Sequence, residues 1–176
     1  MTGTADVVSA AAEFVDRTLQ NEGAWYRADD VAHRLGGVLA SYGSSVGAVR
    51  GTVRDALRKF KDLDHDATVM LASALWGQPG PGSRPVFERR LAAVVLLQSR
   101  VRLLQHSDLT RLEGFLRSAH AADLTAPLLS DVLMPLLAGL GERERQRARG
   151  VVERWSGDPD AHLQAAAAAL MKELTF

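Results

Sequence analysis

The chain has 176 residues, of which 47% are hydrophobic and 24% charged, a composition that excludes an intrinsically disordered protein. Its 21 basic and 21 acidic residues sum to zero, which argues against a strongly basic nucleic-acid binder, although a local basic patch stays possible. It contains no cysteine, which excludes disulfides and cysteine-based metal or thiol chemistry. We find no run of eighteen apolar residues and no signal-peptide pattern at the N-terminus, and therefore expect a cytoplasmic protein without a membrane span.

Apolar residues recur every three or four positions along nearly the whole chain, which predicts helices and no convincing strand. Five helices are predicted in the first half: about Asp6 to Leu19, from Asp29 or Asp30 to about Leu39, Val46 to Phe60, Asp64 or Asp66 to Trp76, and one resuming at Phe87 after Pro85. The glycine- and proline-rich segment 77–83 is predicted to be a loop within one domain.

Four further helices are predicted in the second half: one capped by Ser107 or Asp108, one from Thr125 and Pro127 to about Leu137, one from Gly141 to Trp155, and one from Asp158 to Leu174. Nine helices in short-loop succession indicate an all-α fold. We expect an α-solenoid of antiparallel HEAT-like helix pairs, with residues 1–176 forming a single domain, because each pair has an apolar face that only stacking buries. A compact helical bundle is the alternative.

Five segments, in this order, resemble the HEAT-repeat DNA alkylation-repair glycosylase family (AlkD-like). They are Tyr42–Arg50, Leu75-Trp76, Phe87–Ala93, Ser107–Glu113 and Arg154–Asp160. The resemblance covers roughly residues 27–174. It implies a protein that holds duplex DNA on a concave basic surface and excises alkylated purines. In such a family an Asp carboxylate stabilises the positive charge that develops on the sugar, and aromatic faces stabilise the cationic base.

The sequence departs from the family at the positions that the resemblance makes catalytic. Ala122 stands at the expected Trp and Ala126 at the expected Asp, on the helix that begins near Asp123. A later Trp-Leu-x-Arg pattern reads His162-Leu163-Gln164-Ala165, so its aromatic and basic residues are both missing. A further family aromatic residue belongs to a C-terminal repeat that this sequence does not include. The resemblance thus implies a shortened relative with substituted catalytic positions.

Asp123 is the candidate replacement for the catalytic carboxylate. It lies about 100° around the helix from Ala122 and also suits a helix N-cap, and we favour the N-cap because capping is a common role for Asp at such a position. Glu88 is a second carboxylate on which an active enzyme could depend. Trp76 and Trp155 end helices beside loops, and we expect both to be packing residues.

Arg50, Arg54, Arg58 and Lys61 form the clearest charged constellation, spaced four, four and three residues apart on one predicted helical face. They are the candidate nucleic-acid-binding residues, as a row of phosphate contacts; the alternative is a solvated face opposite the apolar stripe. None of the five histidines has metal-ligand spacing, and no cofactor-binding motif is present, so we expect no metal and no cofactor.

Three functional hypotheses remain. The chain is a non-catalytic HEAT-like module that binds duplex DNA, or an active alkylpurine glycosylase that uses a residue such as Asp123, or a protein-interaction scaffold that has lost nucleic-acid binding. The basic face favours DNA as the partner, whereas the neutral net charge favours a protein partner.

Overall fold

The computed structural model describes residues 3–174. Within this range the elements of regular secondary structure are helices, and no β-strand occurs. The all-α prediction is confirmed. We number the helices as follows: α1 Thr4–Asn21, α2 Trp25–Arg34, α3 Val46–Lys59, α4 His65–Trp76, α5 Phe87–Ser99, α6 Leu109–Ser118, α7 Ala122–Gly139, α8 Glu142–Ser156 and α9 Ala161–Glu173. The chain divides into two compact units, residues 1–99 and 100–176, which we describe separately. The HEAT-type solenoid and the single domain over residues 1–176 stay predictions.

Helix α5 is the centre of the first unit. Every residue from Phe87 to Leu97 is buried, so this helix has no solvent-facing side along most of its length. It packs against α4 and α3, while α1 packs against α3 and α4. A helix that is buried all round needs partners for its polar side chains, and three of the buried residues of α5 are charged.

Helix α2 differs from the prediction that placed an apolar face on Val31, Leu35, Val38 and Leu39. The helix begins earlier, at Trp25, and ends at Arg34, and none of its residues is buried. Gly36 and Gly37 follow with φ of 68° and 75°, a left-handed conformation that ends a helix and suits glycine. Leu39 is buried from the extended segment beyond them, and Val38 is 49% exposed.

In the second unit, α9 packs against α8, α6 and the end of α7. Trp155 is 1% exposed, and its indole Nε1 donates to Glu113 Oε2 on α6 at 2.8 Å. In the first unit, Trp76 is 5% exposed. The predicted packing role of both tryptophans is confirmed.

Helix α7 begins at Ala122, three residues before the predicted start at Thr125. Pro127 therefore lies inside the helix, where it lacks the N–H of a regular helical hydrogen bond, and the backbone widens into a π-helical turn over Leu128–Leu133. By length and composition alone, the described residues contain one helix able to cross a membrane, namely α7, with mean hydropathy 1.2. That evidence is weak because buried core helices meet the same test, and the absence of a membrane span stays a prediction.

Candidate nucleic-acid interface

The arginine row of α3 borders an open groove in the first unit. Ser45 begins this helix as its N-cap, and its hydroxyl accepts a hydrogen bond from the Ala48 N–H at 3.1 Å. The face of α3 made by Val49, Val53 and Ala56 is buried. Arg50, Arg54 and Arg58 lie together on another face and line a groove of about 660 Å³. The sequence prediction that these three arginines share one surface agrees with this arrangement.

The groove combines cationic, polar and apolar groups. Leu57 and Val95 supply its apolar lining, and Gln98 and Ser99 of α5 line it beside the three arginines. Arg50, Arg54 and Arg58 are all exposed. The guanidinium of Arg58 lies 3.7 Å from Asp55 Oδ1, a surface ion pair with little energetic weight. The groove is suited to contact a polyanion, because guanidinium groups bind phosphate oxygens and Gln and Ser side chains can add hydrogen bonds.

Lys61 does not share the helical face of the three arginines. Helix α3 ends at Lys59, and Phe60 has φ of −108° and ψ of 75°, which leaves the helical region. The predicted continuation of the row to Lys61 is therefore wrong. Lys59 instead directs its ammonium towards the rings of Phe14 and Phe60, at 4.8 and 5.7 Å from their centroids.

Glu88 is the most completely enclosed carboxylate among the described residues, with 1% exposure. Its Oε1 accepts hydrogen bonds from the Ser41 hydroxyl at 2.6 Å and from the Gly43 N–H at 3.0 Å. Its Oε2 accepts from the Tyr42 N–H at 2.9 Å. Both oxygens are therefore used to hold the loop that precedes α3. This arrangement leaves no access for a substrate, so Glu88 is a structural residue.

Asp16, Tyr42 and Arg89 form a second polar cluster beside this loop. Asp16 Oδ1 accepts from the Tyr42 hydroxyl and from Arg89 Nη1, each at 2.6 Å, and Arg89 Nη2 donates to the Ala74 carbonyl at 2.8 Å. Burial, followed by the hydrogen bond to Asp16, raises the pKa of Tyr42 to about 12. The cluster joins α1, α4 and α5 to the loop from which α3 begins.

Arg90 is the third charged residue buried along α5. Its Nε donates to the Trp76 carbonyl at 2.9 Å, and its guanidinium carbon lies 4.9 Å from the centroid of the Trp76 ring. Burial lowers the pKa of Arg90 to about 10. These contacts place its cation inside the first unit.

Asp123 lies on the exposed start of α7, but it is not the N-cap residue. That position belongs to Ala121, so the predicted capping role of Asp123 is wrong because the helix begins earlier than expected. Asp123 is in the first helical turn, where a carboxylate is favoured by the unpaired N–H groups and the helix dipole. Ala122, Asp123 and Ala126 are all exposed. Ala165 is exposed on α9.

A cluster of charged residues in the second unit joins α6 to the loop between α8 and α9. Arg117 Nη1 and Nη2 donate to the two carboxylate oxygens of Asp158 at 2.9 and 2.5 Å, and Nη2 also donates to Glu113 at 2.8 Å. Hydrogen bonds to Asp158 and then to Glu113 raise the pKa of Arg117 above its ordinary value. The bond from Arg117, followed by that from the Asp160 N–H, lowers the pKa of Asp158. This arginine is thus neutralised within its own unit.

Two features of the first unit were not predicted from the sequence. The first is the loop that Glu88 holds, whose bonded groups are separated from Glu88 by more than forty positions along the chain. The second is the exposure of Trp25 and Tyr26, which are 79% and 55% exposed. On the side of α2 that carries Trp25, the apolar residues at helical spacing are the small Ala28 and Ala32, so α2 has no stripe of large apolar residues, and this is the signal in the sequence.

Among residues 3–174, no group of three or more His, Cys, Asp or Glu side chains is arranged to hold a metal ion. A family model described as DNA alkylation repair enzyme matches residues 15–175 of the chain. Comparison with curated proteins found no match.

Proposed function

This chain belongs to the DNA alkylation repair enzyme family, and on that premise we propose that it binds duplex DNA without excising alkylated purines. The observation that carries the proposal is the groove bordered by Arg50, Arg54 and Arg58. A protein of zero net charge needs such a local concentration of cations to hold a polyanion.

The spacing of the row supports a contact with the DNA backbone. An α-helix rises about 1.5 Å per residue, so arginines four residues apart repeat about every 6 Å and the row spans about 12 Å. One strand of B-DNA carries a phosphate about every 3.4 Å along the axis, so a row that lies along the axis spans about three such intervals. Phosphate contacts of this kind position a protein on DNA without reading its sequence.

Substitution at three positions supports the absence of excision. Ala122, Ala126 and Ala165 replace the Trp, Asp and Arg that the family resemblance implies. A methyl group neither stabilises positive charge on the sugar nor presents an aromatic face to a cationic base. Loss of a single well-placed electrostatic contact in a transition state commonly lowers the reaction rate by a factor of about a hundred or more.

The second candidate function is that of an active glycosylase, and the exposure of Asp123 favours it. The Asp123 carboxylate lies in the first turn of α7, three residues before Ala126, which stands at the position of the expected Asp. In this alternative, Asp123 provides the negative charge that stabilises the sugar cation. Glu88 is excluded from this role by its burial and by the three donors that it accepts from.

Titration of a fluorescent duplex at several salt concentrations tests DNA binding. We expect the logarithm of the association constant to fall linearly with the logarithm of salt concentration, and Arg54→Ala and Arg58→Ala each to reduce the slope by about one. Arg147→Ala is the matched control, because it removes an exposed arginine from α8 in the second unit.

The expected result is a reduced slope in the two α3 variants and an unchanged slope in the control. Unchanged affinity and slope in Arg54→Ala and Arg58→Ala would remove the arginine row from the interface. Absence of duplex binding by the wild-type protein would favour the protein-interaction scaffold.

A further inference from the structure

Helix α2 presents an aromatic surface that no other described residue of the first unit covers. Trp25 is 79% exposed and Tyr26 is 55% exposed, and none of the residues of α2 is buried. Trp76 and Trp155, in contrast, are 5% and 1% exposed. A tryptophan in the interior is accounted for by packing, whereas an indole with this exposure contributes little to the core.

Neighbouring side chains hold the aromatic pair in place. The rings of Trp25 and Tyr26 meet edge to face, with centroids 6.0 Å apart and an interplanar angle of 87°. The guanidinium carbon of Arg27 lies 5.5 Å from the centroid of the Tyr26 ring, and Arg27 Nε donates to the Gly43 carbonyl at 2.8 Å. The exposed surface is therefore ordered by contacts of its own.

Two glycines fix the start of α2 against the loop that precedes α3. A Cβ on Gly43 would lie 2.1 Å from the Ala24 carbonyl oxygen, and a Cβ on Gly23 would lie 2.2 Å from the Tyr42 carbonyl oxygen. Gly43 also has a φ of 76°. No other residue type fits these close backbone contacts. Trp25 is thus attached to the same loop that Glu88 holds and from which the arginine row begins.

We propose that Trp25 is a stacking platform for an unpaired nucleobase of DNA whose backbone is held by the arginine row. This inference rests on the proposed function and gives it a preferred ligand, DNA with an unpaired base. Every nucleobase has a π face, so an aromatic side chain binds an unpaired base without sequence preference.

A nucleobase is a better occupant of this surface than a charged peptide. The exposed charges of α2 balance, since Arg27 and Arg34 oppose Asp29 and Asp30, so the helix offers no net charge to a charged peptide. The same unit carries the arginine row on α3, the helix that follows the loop in contact with the start of α2, and a nucleic-acid backbone supplies the opposite charge to that row. In an intact duplex the base faces are stacked on each other, so the platform distinguishes DNA with an unpaired base from fully paired DNA.

Intrinsic fluorescence gives a direct test, because Trp25 is the exposed member of the three tryptophans. The protein is titrated with a duplex that carries one unpaired adenine and with a fully paired duplex of the same flanking sequence. We expect quenching of the exposed tryptophan by the bulged duplex alone. Trp25→Ala is expected to weaken binding of the bulged duplex about tenfold and to leave binding of the paired duplex unchanged, and Trp25→Phe to retain part of the preference.

Met70→Ala is the matched control, since it removes an exposed apolar side chain from α4 of the same unit. Equal affinity of wild type and Trp25→Ala for the bulged duplex overturns the platform, and the salt dependence still tests duplex binding independently. A Trp25 emission that shifts with protein concentration in the absence of DNA, and is lost in Trp25→Ala, overturns it in favour of self-association through α2.

Discussion

In the first unit the carboxylate of Glu88 is buried and accepts hydrogen bonds from Ser41, Tyr42 and Gly43, whereas in the second unit the carboxylate of Asp158 lies near the surface and binds Arg117. The first carboxylate holds the backbone loop that precedes α3. The second neutralises an arginine and removes it from any role in anion binding. Arginine content alone therefore says little about DNA binding, because the neighbouring carboxylates decide which cations are available.

The free energy of unfolding tests the difference between the two carboxylates, Glu88 and Asp158. We expect the largest change in this quantity from a substitution of Glu88. Glu88→Gln replaces one acceptor oxygen by an NH₂ group that faces an N–H or O–H donor in the interior. We expect it to lower the free energy of unfolding by about 2 kcal/mol, because a buried donor loses its partner. For a chain of this length, that corresponds to a fall in melting temperature of about 5 °C.

The paired variant in the second unit is Asp158→Asn, and Glu153→Gln, at an exposed pair with Arg149, serves as the control. Both are expected to lower the melting temperature much less than Glu88→Gln, because water can replace the lost contacts at a surface. A larger effect from Asp158→Asn than from Glu88→Gln would reverse the comparison.

The contribution of Tyr42 to stability depends on pH, and we expect this effect to be smaller than that of Glu88→Gln. Its pKa is raised from 10.0 to about 12 in the folded protein, so the neutral phenol is stabilised by folding. That contribution is fully present below pH 10 and is lost as the pH rises through about 12. We expect wild type and Tyr42→Phe to differ in urea midpoint at pH 9, and the difference to shrink as the pH rises beyond 10.

Absorbance titration of Tyr26→Phe isolates the same group, because Tyr42 is then the remaining tyrosine of the two. Ionisation near pH 12 agrees with a phenol that is buried and bonded to Asp16. Ionisation near pH 10 would mean that the cluster of Asp16, Tyr42 and Arg89 is open to water.

Much of the helical pattern was predictable from the sequence because buried faces repeat at helical spacing. Helices α1, α3 and α6 follow such patterns. Helix α2 was placed too late because none of its residues is buried, and the prediction assigned to it apolar residues that follow Gly36 and Gly37. The start of α7 was misplaced because Pro127 favours a first turn, whereas the structure accommodates it inside the helix with a π-helical turn.

The candidate site was predictable in part for a similar reason. Arg50, Arg54 and Arg58 are on one helix, so their four-residue spacing alone places them on one face. The placement of Lys61 on the same helical face was wrong because the end of a helix depends on the backbone at one residue, here Phe60. The partners of Glu88 depend on tertiary contacts between distant segments, and helical periodicity carries no information about those contacts.

We propose that this member of the family binds duplex DNA and leaves alkylated purines in place. Single-turnover release of 7-methylguanine tests it most directly, with protein in excess of a methylated duplex and binding followed by anisotropy in the same reaction. We predict that the duplex is bound and that release does not exceed the no-protein control, because Ala122, Ala126 and Ala165 provide neither charge nor an aromatic face. Release well above the control, and abolished by Asp123→Asn, would contradict the account and identify Asp123 as the catalytic carboxylate.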